Sequence, residues 1–171
     1  MTLNHLLEAV SFANRAHHGQ VRKDGRTPYA AHVSRVCLIV RNVFGYDDPE
    51  MLAAALLHDT IEDTTTDYDD LLEHFGKNVA DWVRALTKDK RLEESEREKV
   101  YIKQFMSAGW QVEVIKLADI LDNRLDSKYM DESRRTKSQQ RHQQYLDALK
   151  MSLHLNTRKA LDQFEATLVS V

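Results

Sequence analysis

Apolar residues recur at intervals of three and four along almost the whole chain, and no stretch alternates in the two-residue rhythm of a half-buried strand. Leu3, Leu6, Leu7, Val10 and Ala13 form one stripe. Val33, Val36, Cys37, Val40 and Phe44 form a second, Tyr68, Leu71, Leu72 and Phe75 a third, and Val79, Trp82, Val83 and Leu86 a fourth. A chain patterned in this way buries its apolar surface by packing helix on helix. Five glycines and two prolines in 171 residues point the same way, since sandwiches and barrels need many more turn residues. The expected fold is all-α, a compact helical bundle in one domain spanning residues 1–171, which is long enough for a real core.

Turn and cap residues set the expected boundaries. Gly19 to Thr27 reads as a polar, basic loop, and Pro28 suits the first turn of the next helix. Gly45 to Pro49 is a break before a helix over Met51 to Asp59. The Thr64-Thr65-Thr66 cluster ends that helix and can cap the next one, for which Gly76 is the stop. Lys88 to Lys99 is highly charged and reads as a mobile connection or an exposed helix. Val112 to Leu125 is a further helix. From about Ser138 one or two helices carry Tyr145, Leu146, Leu149, Leu153, Leu161, Phe164 and Leu168 inward.

Composition excludes several classes. A net charge of −3 gives no global attraction to nucleic acid or to a membrane surface. No apolar run approaches the roughly 18 residues that span a bilayer, and Met1 to His18 lacks the layout of a secretory signal. The single cysteine, Cys37, precludes an internal disulfide and fits core packing in a reducing compartment. The expected location is therefore cytoplasmic, and a homo-oligomer is left open. The basic run Arg134, Arg135, Lys137 and Arg141 is interleaved with Gln and has no stacking aromatics, so it reads as a solvated helix face.

The chemistry concentrates in Leu56-Leu57-His58-Asp59-Thr60-Ile61-Glu62-Asp63. An imidazole and a carboxylate end an apolar helix, and two more carboxylates follow within about one turn. Buried charges cost several kcal/mol each unless they are paired or bound to metal. Helical phase brings further polar groups to the same interior. Leu52, Ala55, Leu56 and Asp59 fall at i, i+3, i+4 and i+7. His32 precedes Val36, Ile39, Val40 and Val43 on an apolar face, and Asp119 follows Val112 and Ile115 on another, with Asn123 one turn on. Imidazole nitrogen with carboxylate oxygen suits Mn, Fe or Zn, and a carboxylate-rich set leans towards Mn(II). Taken singly, an inward histidine is more often a hydrogen-bonded core residue, and an inward aspartate is often a cap.

The ordered set of motifs resembles the HD superfamily of metal-dependent phosphohydrolases, and within it the hydrolase domain of RelA/SpoT-type alarmone enzymes in their stand-alone form, the small alarmone hydrolases. The matching segments are His18-Gly19-Gln20-Val21-Arg22-Lys23-Asp24-Gly25 with Thr27-Pro28-Tyr29 and His32, Ala54 to Thr64, His74-Phe75-Gly76, Leu86-Thr87-Lys88, and Lys116-Leu117-Ala118-Asp119 with Asn123. The resemblance implies an HD-type helical bundle, a Mn(II) cofactor, and removal of pyrophosphate from the ribose 3′ position of (p)ppGpp to give GDP or GTP. It implies His32, His58, Asp59 and Asp119 as metal ligands and Glu62 and Asp63 as the catalytic acidic pair. It further implies Arg22 and Lys23 holding the purine base, with Asn123 and Tyr145 contacting the nucleotide. The implied partner is thus a small purine nucleotide.

Two departures stand out. His32 is followed by Val33 where the family usually has proline, and Asp119-Ile120-Leu121-Asp122-Asn123 lacks a family cation and gains Asp122. The second change is expected to make the phosphate side less positive. Arg22, Lys23, Arg26, Lys116 and Arg124 are the candidates for offsetting positive charge, and His17 and His18 border the basic loop. Two other readings remain open on these residues. The same site could act on adenine alarmones or on the 2′-phosphate of NADPH, or the chain could be a catalytically silent nucleotide-binding HD domain.

Overall fold

A computed structural model of the chain describes residues 3–169, without the Leu3 side chain. Its regular structure is helical throughout: α1 (Leu3–Ala16), α2 (Ala30–Leu38), α3 (Pro49–Leu57), α4 (Thr60–Asp63), α5 (Tyr68–Phe75), α6 (Lys77–Leu86), α7 (Glu94–Met106), α8 (Trp110–Leu125), α9 (Glu132–Lys150) and α10 (Leu155–Val169). A π-helical turn over Ile39–Val43 continues α2, and a 3-10 turn over Asp126–Tyr129 follows α8. Among the described residues no strand forms, and an antiparallel bridge between Val21 and Pro28 pins the loop before α2. No described helix is long and apolar enough to cross a membrane.

α8 is the axis of the molecule. It packs against α2, α3, α6, α7, α9 and α10, and every residue from Val112 to Asp122 is buried. Four of these are charged and recur every third position: Glu113, Lys116, Asp119 and Asp122. A helix buried on all sides must find partners for such groups. Glu113 accepts hydrogen bonds from Ser152 Oγ at 2.6 Å and Thr157 Oγ1 at 2.5 Å, which ties α8 to the α9–α10 connection. The other three step progressively round α8 away from Glu113 and build the site and its surroundings.

The α1 stripe is turned from its expected setting. Ala9 and Ala13 are fully buried and Leu6 and Phe12 half-buried, while Leu7 and Val10 are exposed. α1 rests on α3, whose Ala53, Ala54 and Ala55 are also fully buried. Small side chains on both helices allow close approach, and close packing outweighs the larger apolar area of leucine. Leu72 and Leu153, expected inward, are likewise exposed.

Caps differ in detail. Pro28 lies two residues ahead of α2 and pairs with Val21 instead of entering the helix. Asp67 caps α5, not a threonine of the 64–66 cluster: its side chain accepts from Asp70 N while Asp70 accepts from Asp67 N. The Thr64 hydroxyl is already committed to Thr60 O at 2.7 Å, closing α4. Gly76 does stop α5, with φ at +81°, a left-handed setting that suits glycine. Asp67→Ala is expected to remove about 0.5–2 kcal/mol of stability, and each kcal/mol lowers Tm by about 2–4 °C in a chain of this size. A thermal melt unchanged by Asp67→Ala would refute the cap.

Candidate metal centre and cleft

Two helices and the junction between two more deliver four ligand-type side chains to one point. His32 comes from α2, His58 from the end of α3, Asp59 from the residue that opens α4, and Asp119 from α8. His32 Nε2 lies 3.4 Å from Asp59 Oδ2 and 3.3 Å from Asp119 Oδ1. His58 Nε2 lies 3.1 Å and 3.8 Å from the same two oxygens. Ligand atoms of His32, His58 and Asp59 all fall within 4.8 Å of one another. Helical phase had pointed His32, Asp59 and Asp119 inward, and here they meet.

Each ring is turned by a partner on its far side. His58 Nδ1 donates to Ala55 O at 2.8 Å, and His32 Nδ1 donates to the carboxylate of Asp122 at 2.6 Å. A carbonyl and a carboxylate can only accept, so in its neutral form each ring presents an Nε2 lone pair to the centre. His58 Nε2 is buried and has no hydrogen-bond partner in the protein. A buried polar atom left unmet is rare, and a cation at the centre would meet it. The carboxylates are fixed too: Tyr29 Oη donates to Asp59 at 2.6 Å, Asn123 Nδ2 to Asp119 at 2.5 Å, and Lys116 Nζ to Asp119 at 2.8 Å.

The electrostatics match. Burial alone would lower the pKa of His32, but Asp119, Asp122 and Asp59 outweigh it and push it up to about 10. His58 is raised against burial by Asp59. Burial opposes ionisation of Asp59 and Asp119, yet His58 and Lys116 respectively lead the effects that hold them well below the usual carboxylate range. The cluster thus demands positive charge at its centre, and two nitrogens with two oxygens are a donor set that fits a divalent transition metal.

Glu62 and Asp63, on α4, border the same point from a different side. Glu62 Oε2 accepts from the backbone N of Lys88 at 2.9 Å. Burial raises its pKa, against Lys88 and with help from Asp59. Asp63 is more exposed and pairs with Lys90 Nζ at 2.7 Å, while Lys90 also reaches Glu62 O. The segment Lys88 to Lys99 is therefore neither a free connection nor a wholly exposed helix. It anchors the acidic pair, and its Glu98 is buried.

A cleft of about 380 Å³ opens over the centre. His58, Asp59, Glu62, Asp63 and Asp119 line one side. Six cations, Lys23, Lys88, Lys116, Arg134, Lys137 and Arg141, also line the cleft, among neutral and aromatic residues. The Lys88 and Lys116 ammonium groups lie 4.8–5.3 Å from the Tyr101 and Tyr145 ring centres, a cation–π arrangement. The Tyr145 hydroxyl is hydrogen-bonded to Glu98. Of the nucleotide contacts implied by the resemblance, Lys23, Asn123 and Tyr145 lie on the cleft wall. Arg22 does not: it is 6% exposed and held behind the wall by Asp126, Asn123 and Asp122.

Three further expectations change. The basic run is not a purely solvated face, since Arg134, Lys137 and Arg141 overhang the cleft. Their spacing of three and four was the available signal, obscured by starting the last helices at Ser138 when α9 begins at Glu132. Asp122 does not face the phosphate side: it is 2% exposed and sits behind His32, held by Arg35 Nε at 2.5 Å. Arg124, expected among the cations near the metal, lies over Phe164 and off the cleft wall.

A family model described as HD domain matches residues 9–154, and the chain belongs to that family of metal-dependent phosphohydrolases. Among curated proteins it is similar to the human guanosine-3′,5′-bis(diphosphate) 3′-pyrophosphohydrolase MESH1, 43% identical over 122 residues that cover 71% of this chain and 68% of that one. The Xenopus tropicalis protein of the same name is 40% identical over 124 residues, covering 72% and 69%. A solved structure described as a metazoan ortholog of SpoT that hydrolyzes ppGpp and plays a role in starvation responses matches with a TM-score of 0.83 at 31% identity, covering 98% of this chain and 97% of that one. A Listeria monocytogenes crystal structure matches with a TM-score of 0.62 at 25% identity, covering 82% and 95%.

Proposed function

We propose that the protein hydrolyses the ribose 3′-pyrophosphate of guanosine alarmones, (p)ppGpp, with Mn(II) as cofactor, giving GDP or GTP and pyrophosphate. The observation that carries this reading is the His32–His58–Asp59–Asp119 cluster beside a cleft that six lysines and arginines line. Such a cleft suits a polyanion with one end at a metal, and the named activity of the relatives supplies the substrate class. His32, His58, Asp59 and Asp119 would hold a divalent ion, which when bound would supply Lewis acidity to polarise a phosphoryl group and favour attack by water near neutral pH.

The chain's own residues do the rest. Water adds to the phosphorus next to the ribose, the bond from that phosphorus to the 3′ oxygen breaks, and that oxygen needs a proton. Glu62 is the proton carrier: burial lifts its pKa towards the working range, so it can take a proton from water and return it to the leaving oxygen. Asp63, the second member of the catalytic pair, lines the same cleft and is held there by Lys90. Lys88 and Lys116 face the phosphoryl charge, and Lys23, Asn123 and Tyr145 contact the nucleoside. The proposed working compartment is the cytoplasm, where a single half-buried cysteine stays reduced.

The test is a panel of ppGpp, ppApp and NADPH, each with Mn(II) or with chelator. Pyrophosphate from ppGpp, dependent on Mn(II), is the expected result. Release from ppApp alone, or phosphate from NADPH alone, would move the assignment to those substrates, and no turnover of any would favour a silent nucleotide-binding domain.

A further inference from the structure

Arg22 has the wrong surroundings for a side chain that waits for a purine. Its guanidinium donates from Nε to Asp126 at 2.9 Å and from an Nη to Asn123 Oδ1 at 3.1 Å, with Asp122 3.7 Å away. It lies over the Tyr29 ring at 5.3 Å. Its backbone is also fixed: Arg22 N donates to Thr27 O at 2.7 Å, and the loop is closed by Asp24, which accepts from Arg26 N, Thr27 N and Thr27 Oγ1.

Each of three neighbours of Arg22 holds a different ligand of the metal centre. Asp122 accepts from His32 Nδ1, Asn123 donates to Asp119, and Tyr29 donates to Asp59. Only His58 is turned without it, by the Ala55 carbonyl. Asp122 further takes two hydrogen bonds from Arg35, at 2.5 and 3.1 Å, so its charge is shared between two arginines and His32. Loss of a group that orients a metal ligand from behind costs about 10–100-fold in metal affinity or activity.

We propose that Arg22 is a positioning residue of the metal centre: one planar guanidinium holds in register the outer partners of His32, Asp119 and Asp59. Its planar fork allows this, because several donors at fixed angles can serve an aspartate, an asparagine and an aromatic face together, which a lysine ammonium does not do. The inference rests on the metal reading above.

The experiment measures Mn(II) affinity directly, by the electron paramagnetic resonance signal of free Mn(II), on wild type, Arg22→Gln, Arg22→Lys and Asp122→Asn. Arg22→Gln and Asp122→Asn are each expected to bind Mn(II) about 10–100-fold more weakly, with Arg22→Lys rescuing little. At saturating Mn(II), KM should move only a few-fold. Wild-type uptake with unchanged affinity in Arg22→Gln and a raised KM would overturn the inference and leave Arg22 as a base contact. Because Arg22 is buried among carboxylates, Asp122→Asn gives a reading even if Arg22→Gln does not fold, and unchanged affinity there also overturns the inference. Wild-type protein that takes up no Mn(II) would remove the metal reading itself.

Discussion

His58→Ala and Asp119→Asn are each expected to lose Mn(II) and hydrolysis together, with turnover falling on the order of 10²–10³-fold at the least, the scale on which a single stabiliser of developing charge is felt. Both side chains aim one atom at the centre, and in His58 that atom has nothing else to meet. Asparagine is the better probe at 119, because Asp119 is the hydrogen-bonded counter-ion of buried Lys116. Removing the side chain outright strands an ammonium in the interior and can cost about 3–5 kcal/mol of stability. Metal content and pyrophosphate release, measured on the same preparations, check the coupling. Full Mn(II) affinity in either variant would exclude that residue as a ligand. Chelation of wild type should also lower Tm, since an ion at a hundred times its Kd adds about 2.7 kcal/mol to folding.

Glu62→Gln should do the reverse: Mn(II) binding intact and kcat down by about 10²–10⁴-fold, the usual range for a lost acid–base group. The pH behaviour follows from the direction of the Glu62 shift. Burial, with Asp59 beside it, raises the carboxyl above the usual glutamate range. The acid limb of kcat/KM should therefore lie above that range, with activity rising as Glu62 ionises, and Glu62→Gln should flatten it. Stability runs the opposite way. A raised folded pKa means the native state holds this proton more tightly, so the associated stability is complete below the unfolded value and lost as pH rises through the folded one. At neutral pH ionised Glu62 weakens the metal-free fold, and Glu62→Gln is expected to melt higher there, with little difference at acid pH. Equal pH–rate profiles for wild type and variant would remove Glu62 from proton transfer.

What could be read in the sequence was whatever depends on local spacing. Three- and four-residue periodicity located the helices, Gly76 marked a stop, and the phase of Asp59, His32 and Asp119 brought three ligand side chains to one interior. Features decided by a distant neighbour could not be read. α1 has two candidate apolar faces, and the alanines of α3 chose the smaller one. Lys88 and Glu98 lie in a strongly charged stretch, yet they become part of the cleft surroundings because α7 packs against α8 and α9. Asp122 reads as an added negative charge facing phosphate until Arg35 and His32 are seen on it. Arg22, in a loop of polar residues, gives no local sign that Asp126, more than a hundred positions away, will hold it.

The delivery of ligands by α2, α3 and α8 also has a consequence for biosynthesis. Sixty positions separate Asp59 from Asp119. At about 5–20 residues per second, the ribosome makes the first three donors roughly 3–12 s before the fourth. Until then there is no α8 for α2 and α3 to close upon, and no Asp122 to turn His32. An ion therefore cannot be retained by a newly made chain before α8 has been made, and hydrolysis cannot begin before α2, α3 and α8 have closed on one another.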